Sequence, residues 1–151
     1  MDRRTFVAGT SAVLLAAPLA AEAQQPAKVA QIGWLATTPA GNLSAPEAFL
    51  QGLRDLGYVE GRNLVIKYRD AEGKPERYPA LAAELVALKV DVIVTAGGTP
   101  AALAAKEATR TIPIVFNAAG DPVSSGLVAS LARPGGNVTG LSNFTTELVG
   151  K

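Results

Sequence analysis

The sequence predicts an α/β protein with a doubly wound parallel sheet, and two alternating patterns carry that prediction. Short apolar runs that suit buried strands alternate with longer segments in which apolar residues recur at helical spacing. The clearest run is at residues 90–96, with the sequence VDVIVTA. Parallel strands joined through helices need crossovers, and these are nearly always right-handed. We therefore expect an open sheet with helices on both faces.

The first strand and helix are predicted between residues 29 and 57. Residues 29–35 form an apolar run, and we expect Trp34 within it to be a core residue rather than an aromatic platform for a ligand. Ser44 and Glu47 then have the spacing of a helix-starting capping box. One helical face carries the apolar residues Phe49, Leu50, Leu53 and Leu56. Gly57 suits the left-handed position that ends a helix.

The same alternation predicts the remaining elements. Further strands are expected at residues 63–68, 90–96 and 112–118, and a fifth begins at residues 137–141. An Ala-rich helix is expected after the third strand, to about Thr109. Apolar stripes predict a helix on either side of this region, the first with Tyr78, Leu81, Leu85 and Leu88, and the second with Val123, Leu127, Val128 and Leu131.

Composition narrows the function classes. The chain has no Cys and no His, so it lacks thiolate metal sites, the commonest general base and the commonest transition-metal ligand. Its net charge of +1, with no basic cluster, gives no electrostatic support for nucleic-acid binding. Motifs for a P-loop, a dinucleotide site or a nucleophile elbow do not occur. We therefore expect a binding protein with no catalytic residues, no metal and no cofactor.

The first residues have the pattern of an export signal. Arg3 and Arg4 precede an apolar run at residues 6–19, and a small-x-small site predicts cleavage after Ala23. The paired arginines resemble the twin-arginine export motif, while an ordinary secretion signal is the alternative. We expect residues 1–23 to be the signal and residues 24–27 a short linker. The mature chain is then expected in the periplasm, with no membrane span.

The carboxyl ends of the predicted strands mark the expected ligand site, because ligands of open parallel sheets bind beyond those ends. Four short segments occupy this edge of the sheet. Their candidate ligand-binding residues are Thr37, Thr38, Gly98, Thr99, Pro100, Asp121, Pro122, Ser142 and Asn143.

Two of these segments are chemically alike. Thr99 and Asp121 are each followed by a proline, which suits an oxygen-bearing cap before the first helical position. Helix amides near Thr99 would suit a carboxylate, and Asp121 would suit an ammonium group, so together they could hold an amino acid. Plain helix capping without a ligand is the alternative for each motif.

Several segments resemble the family of ABC transporter substrate-binding proteins that includes tryptophan/tyrosine-type binding proteins. The resemblance covers essentially all of the mature chain, in order. It rests on FLQGLRDLGY at residues 49–58, EGRNL at 60–64, GTPAA at 98–102, IPIVF at 112–116, GDPV at 120–123 and RPGGNVTG at 133–140.

The resemblance implies a type I periplasmic-binding-protein fold, in which two similar lobes joined by a hinge close on a small ligand. Residues 28–143 would be the N-terminal lobe, and residues 144–151 the start of the hinge or second lobe, truncated at Lys151. The loops at Thr99 and Asp121 would face the cleft between lobes. The receptor would deliver a small polar ligand, such as an amino acid, to an inner-membrane ABC permease with a separate ATPase.

A second function class shares this fold and cleft. An exported sensory or regulatory binding domain would pass its signal to a partner protein instead of delivering a ligand to a permease. An exported hydrolase is a third class, for which the sequence offers no catalytic machinery.

Overall fold

In the computed structural model, the structure describes residues 28–38 and 44–143, which contain a five-stranded sheet. Its strands are β1 (Ala30–Ala36), β2 (Leu64–Asp70), β3 (Val92–Ala96), β4 (Ile114–Ala119) and β5 (Val138–Ser142). The helices are α1 (Ser44–Asp55), α2 (Tyr78–Ala87), which follows a 3-10 turn at Pro75–Arg77, and α3 (Gly98–Ala108). The expected export signal, the linker and the start of a second lobe lie outside the described residues.

The sheet is parallel throughout, with the strand order β2-β1-β3-β4-β5, which confirms the predicted fold class. The chain moves one way across the sheet from β1 to β2 and the other way from β2 onward. Right-handed crossovers in opposite directions place their helices on opposite faces. Helix α1 accordingly packs on one face, the front, and α2 and α3 pack on the other, the back.

The back face carries the larger core. Leu35, Ile93 and Ile114 from three adjacent strands are fully buried against Leu85 of α2 and the alanines of α3. Small alanine side chains let α3 lie close to the sheet. Gly33 serves the same purpose under α2, since a Cβ there would lie 3.1 Å from the Leu85 side chain.

The front core is built around Trp34, which is only 2% exposed, as the sequence predicted. Its ring lies 5.0 Å from that of Phe49 in α1, in a tilted arrangement. The described residues cover the front face less completely over β4 and β5. Val115 on β4 is 36% exposed, and Leu141 on β5 is 71% exposed. None of the described helices is long and apolar enough to cross a membrane.

Two predicted apolar stripes extend past the ends of their helices. Leu56 is 76% exposed, because α1 ends at Asp55 and Gly57 then turns the chain with φ of +87°. Leu88 is the C-cap of α2 and is 40% exposed. The helical spacing therefore identified the buried face correctly but extended each stripe by one residue.

The helix predicted after β4 is absent, and that expectation was wrong. The chain makes one turn from Pro122 to Gly126, where a φ of +75° at Gly126 ends the helical path. Leu127 is buried, whereas Val123 and Leu131 are exposed, so the apparent stripe does not share one face. The irregular segment leaves an open groove of about 580 Å³ beside α3.

The candidate ligand-binding edge

The predicted ligand-binding residues all lie at one edge of the sheet. Each group follows the carboxyl end of a strand, and the strands concerned are neighbours in the order β1-β3-β4-β5. The groups are Thr37 and Thr38 after β1, Gly98 to Pro100 after β3, Asp121 and Pro122 after β4, and Ser142 with Asn143 at the end of β5.

Thr37 is tied into the protein by both its backbone and its side chain. Its hydroxyl oxygen lies 2.8 Å from the phenol oxygen of Tyr78, and either group can donate that hydrogen bond. Its carbonyl accepts from the amide of Gly73 at 2.8 Å. Thr38, the last described residue before the gap at 39–43, is half-buried. The loop after β1 therefore begins from a fixed point.

Helix α3 begins two residues earlier than the sequence predicted. Its N-cap is Gly97 and its first residue is Gly98, so Thr99 and Pro100 lie within the first turn and the predicted capping role of Thr99 is wrong. The Thr99 hydroxyl instead accepts a hydrogen bond from the amide of Gly120 at 3.2 Å. This contact joins the first turn of α3 to the loop after β4.

The N-cap of α3 lies in a tightly packed space. A Cβ built on Gly97 would lie 2.4 Å from the phenol oxygen of Tyr78 and 2.7 Å from the Cβ of Ala101. Only glycine fits in that space, and Gly98 then adopts a φ of +66°. Gly97 thus packs against Tyr78, and Gly98 begins the helix ahead of Thr99.

Asp121 has the capping role that the sequence predicted, although it caps a single turn rather than a helix. Its Oδ1 accepts from the amides of Val123 at 3.0 Å and Ser124 at 3.1 Å. These bonds, that of Ser124 first, lower the pKa of the carboxyl group below its usual value. The side chain is exposed, so the edge presents an ionised carboxylate at neutral pH. The next residue, Pro122, is fully buried.

The end of β5 meets a distortion in β4 that the sequence did not reveal. The pairing register shifts between Asn117 and Ala119, and Ala118 has a φ of +58°, which is uncommon for a residue other than glycine. Beyond the shift, Ser142 pairs with Ala119, and the amide of Asn143 donates to the Ala119 carbonyl at 3.1 Å. An alanine carries no local signal for such a conformation.

Contacts join these segments in pairs. Tyr78 touches the loops after β1 and β3, Thr99 joins the first turn of α3 to the loop after β4, and Asn143 joins β5 to β4. Sequence reasoning missed the hydroxyl group of Tyr78. Tyr78 was assigned only to an apolar stripe, and nothing local marks its hydroxyl as part of the edge.

The edge offers complementary chemistry for a ligand with both charges. Helix N-termini present free amides and partial positive charge. The N-terminus of α3 follows β3, and Asp121 follows the neighbouring strand, β4. No group of three acidic side chains that could hold a metal occurs in the described residues. The groove beside α3 is lined by Lys106, whose ammonium already donates to the Gly126 carbonyl, and otherwise by apolar side chains and loop residues.

Comparisons with known proteins agree with this architecture. The sequence model of a family described as "ABC transporter substrate binding protein" matches residues 39–148. A tyrosine-binding protein from Clostridioides difficile is 42% identical over 110 residues, which are 70% of this chain and 32% of the relative. The resemblance seen in the sequence is thereby confirmed.

Solved structures give the same result. A conserved domain protein from Vibrio cholerae is 42% identical with a TM-score of 0.71, over 77% of this chain and 39% of the other. An ABC domain from Streptococcus pneumonia in complex with L-Trp is 34% identical with a TM-score of 0.67, over 75% of this chain and 38% of the other. The chain thus spans well under half the length of each relative.

Proposed function

This chain belongs to the family of ABC transporter substrate binding proteins, and on that premise we propose that it is an exported receptor for an amino acid. The sheet edge would form one wall of a cleft whose other wall lies in a second lobe. The receptor would pass its ligand to an inner-membrane permease with a separate ATPase. It would act by binding alone, without catalysis.

The observation that carries the proposal is the arrangement of charge on this edge. The N-terminus of α3 and the carboxylate of Asp121 follow adjacent strands, β3 and β4, and the Thr99–Gly120 hydrogen bond links the first turn of α3 to the loop that carries Asp121. An amino acid's carboxylate would bind at the helix amides and its ammonium group at Asp121. Two similar proteins support this ligand class, since one is a tyrosine-binding protein and one was solved with L-Trp.

A thermal-shift measurement on the full-length protein tests the proposal. We expect tyrosine or tryptophan to raise the melting temperature, because ligand at 100 times its Kd adds about 2.7 kcal/mol to the free energy of unfolding. Tyramine lacks the carboxylate and 4-hydroxyphenylpropionate lacks the ammonium group, so neither should stabilise comparably. No shift with any amino acid at about millimolar concentration would refute the proposed ligand class.

A variant pair tests the role of Asp121 directly. Asp121→Asn keeps an oxygen that can accept from Val123 and Ser124 but removes the negative charge, so amino-acid binding should weaken while the turn persists. The matched control is Asp55→Asn on α1, where the carboxylate accepts a hydrogen bond from Gln51 of the same helix. Equal ligand affinity in both variants would remove Asp121 from the proposed site.

A further inference from the structure

Tyr78 is the first residue of α2 and is only 2% exposed, yet its phenol oxygen reaches the candidate ligand-binding edge of the sheet. There it lies 2.8 Å from the Thr37 hydroxyl, in the loop after β1. The two residues are separated by 41 positions in the sequence. A buried phenol normally needs such a partner, and Thr37 supplies it.

The same phenol group also lies close to Gly97, the N-cap of α3. A Cβ on Gly97 would lie 2.4 Å from the phenol oxygen and 2.8 Å from the ring carbon that bears it, so the backbone of Gly97 rests on the end of the ring. Strands β1 and β3 are neighbours in the sheet. One side chain therefore contacts the loops that follow two adjacent strands.

We propose that Tyr78 is a positioning residue that sets Thr37 and the N-terminus of α3 relative to each other, so that both face one ligand. This inference rests on the proposed function, because it assigns a support to the same amino-acid site. Tyr78 lies beneath the edge and acts through Thr37 and Gly97, not by touching the ligand. The hydroxyl group of Tyr78 carries the contact with Thr37, since a ring without it would leave the Thr37 hydroxyl without this partner.

Tyr78→Phe in the full-length protein tests the proposal with two readouts. By calorimetry, we expect the Kd for tyrosine or tryptophan to rise about threefold to tenfold, the worth of one hydrogen bond. By hydrogen exchange of the ligand-free protein, the amides of residues 37–38 and 97–99 should exchange faster than in the wild type. The control is Tyr58→Phe, an exposed tyrosine that lines a groove with Ala30 and Leu64 at the opposite edge, which should change neither readout.

A double-variant cycle with Thr37→Val separates positioning from general stability. Tyr78→Phe removes the hydrogen bond to Thr37 and keeps the ring against Gly97, so the double variant should bind about as weakly as Thr37→Val alone. Additive losses, or a Tyr78→Phe variant with wild-type affinity and wild-type exchange, would overturn the proposal. If the wild type binds no amino acid but Tyr78→Phe speeds exchange at both loops, then the proposed ligand fails and the positioning role stands.

Discussion

Gly97 shows how strongly one missing side chain shapes the edge. Its backbone lies against both the Tyr78 phenol and the Ala101 methyl group, at distances too short for a Cβ. Its φ of −119° is accessible to any residue, so the constraint is space rather than backbone conformation. At this position the requirement for glycine comes from the surrounding fold.

Gly97→Ala should lower the free energy of unfolding by about 1–3 kcal/mol, because the added methyl group forces Tyr78 or α3 to shift. Urea denaturation measures this change. Gly52→Ala is the matched control, since Gly52 lies in α1 with nothing within 4 Å of its added Cβ. That control should stabilise the protein by about 0.5–1 kcal/mol through helix propensity. Similar effects of the two variants would contradict the steric account.

Asp91 joins the starts of β1 and β3, at the amino ends of the strands. Its carboxylate accepts a hydrogen bond from the Lys28 ammonium group and, through Oδ2, one from the Gln31 amide at 2.9 Å. The bond from Lys28 is the largest cause that lowers the pKa of Asp91, and the bond from Gln31 is the next. A group whose pKa is lower in the folded protein stabilises the fold while it is ionised.

Asp91→Asn should therefore reduce the loss of stability on acidification. The stabilising contribution of Asp91 is complete above its ordinary pKa of 3.8 and disappears as the pH falls through the lower folded value. Urea denaturation at about pH 7 and about pH 3 measures the difference. Lys28→Met, which keeps the Gln31 bond, should give an intermediate result. Identical pH dependence in Asp91→Asn and the wild type would contradict the prediction.

At the scale of elements, Asn137 connects β5 to the loop that enters β4. Its Nδ2 donates to the carbonyl of Thr109 at 3.2 Å and to that of Ile112 at 2.8 Å. The Thr109 hydroxyl in turn accepts from the amides of Thr111 and Ile112. This polar cluster fixes the connection between α3 and β4 at the level where β5 begins.

Asn137→Ala should destabilise the protein by about 1–3 kcal/mol, because two partly buried carbonyl groups lose their donor. Thermal unfolding followed by circular dichroism measures the change. Asn117→Ala is the comparison, since the side chain of Asn117 makes no hydrogen bond with the described residues and is half-buried on the open part of the front face. An equal cost for both variants would show that side-chain volume, not the bridging bonds, matters.

At the scale of the whole molecule, one sheet separates two apolar cores. The front core contains Trp34, the only tryptophan in the chain, and the back core contains Leu85 of α2. Gly33 and Trp34 are adjacent on β1 but face opposite sides, and the Gly33 backbone packs against Leu85. The strands are therefore shared by both cores, which should unfold together.

Leu85→Ala should lower the free energy of unfolding by about 2–5 kcal/mol, because Leu85 is fully buried. The midpoint from Trp34 fluorescence, which reports the front core, should fall as far as the midpoint from circular dichroism. Leu88→Ala on the neighbouring turn is the control, and its 40% exposure predicts a change within about 0.5 kcal/mol. A fluorescence midpoint that stays at the wild-type value would mean that the two faces unfold separately.

The sequence by itself determined the fold class and the edge where the candidate residues lie. Strand and helix periodicities are local patterns, and the order of apolar runs such as residues 90–96 fixes the alternation of elements. The candidate edge follows from that alternation, since the carboxyl ends of parallel strands share one edge. Binding at that edge remains a proposal.

Only the tertiary structure decided how that edge is built. Two local predictions failed because they depended on contacts that local spacing does not encode. One was the helix at residues 122–131, and the other was the start of α3 after Thr99 rather than at Gly98. The hydrogen bond between Thr37 and Tyr78 joins residues 41 positions apart, and the Thr99–Gly120 bond joins residues 21 apart. Such contacts form only once the sheet and its helices have packed, so the sequence gives no local sign of them.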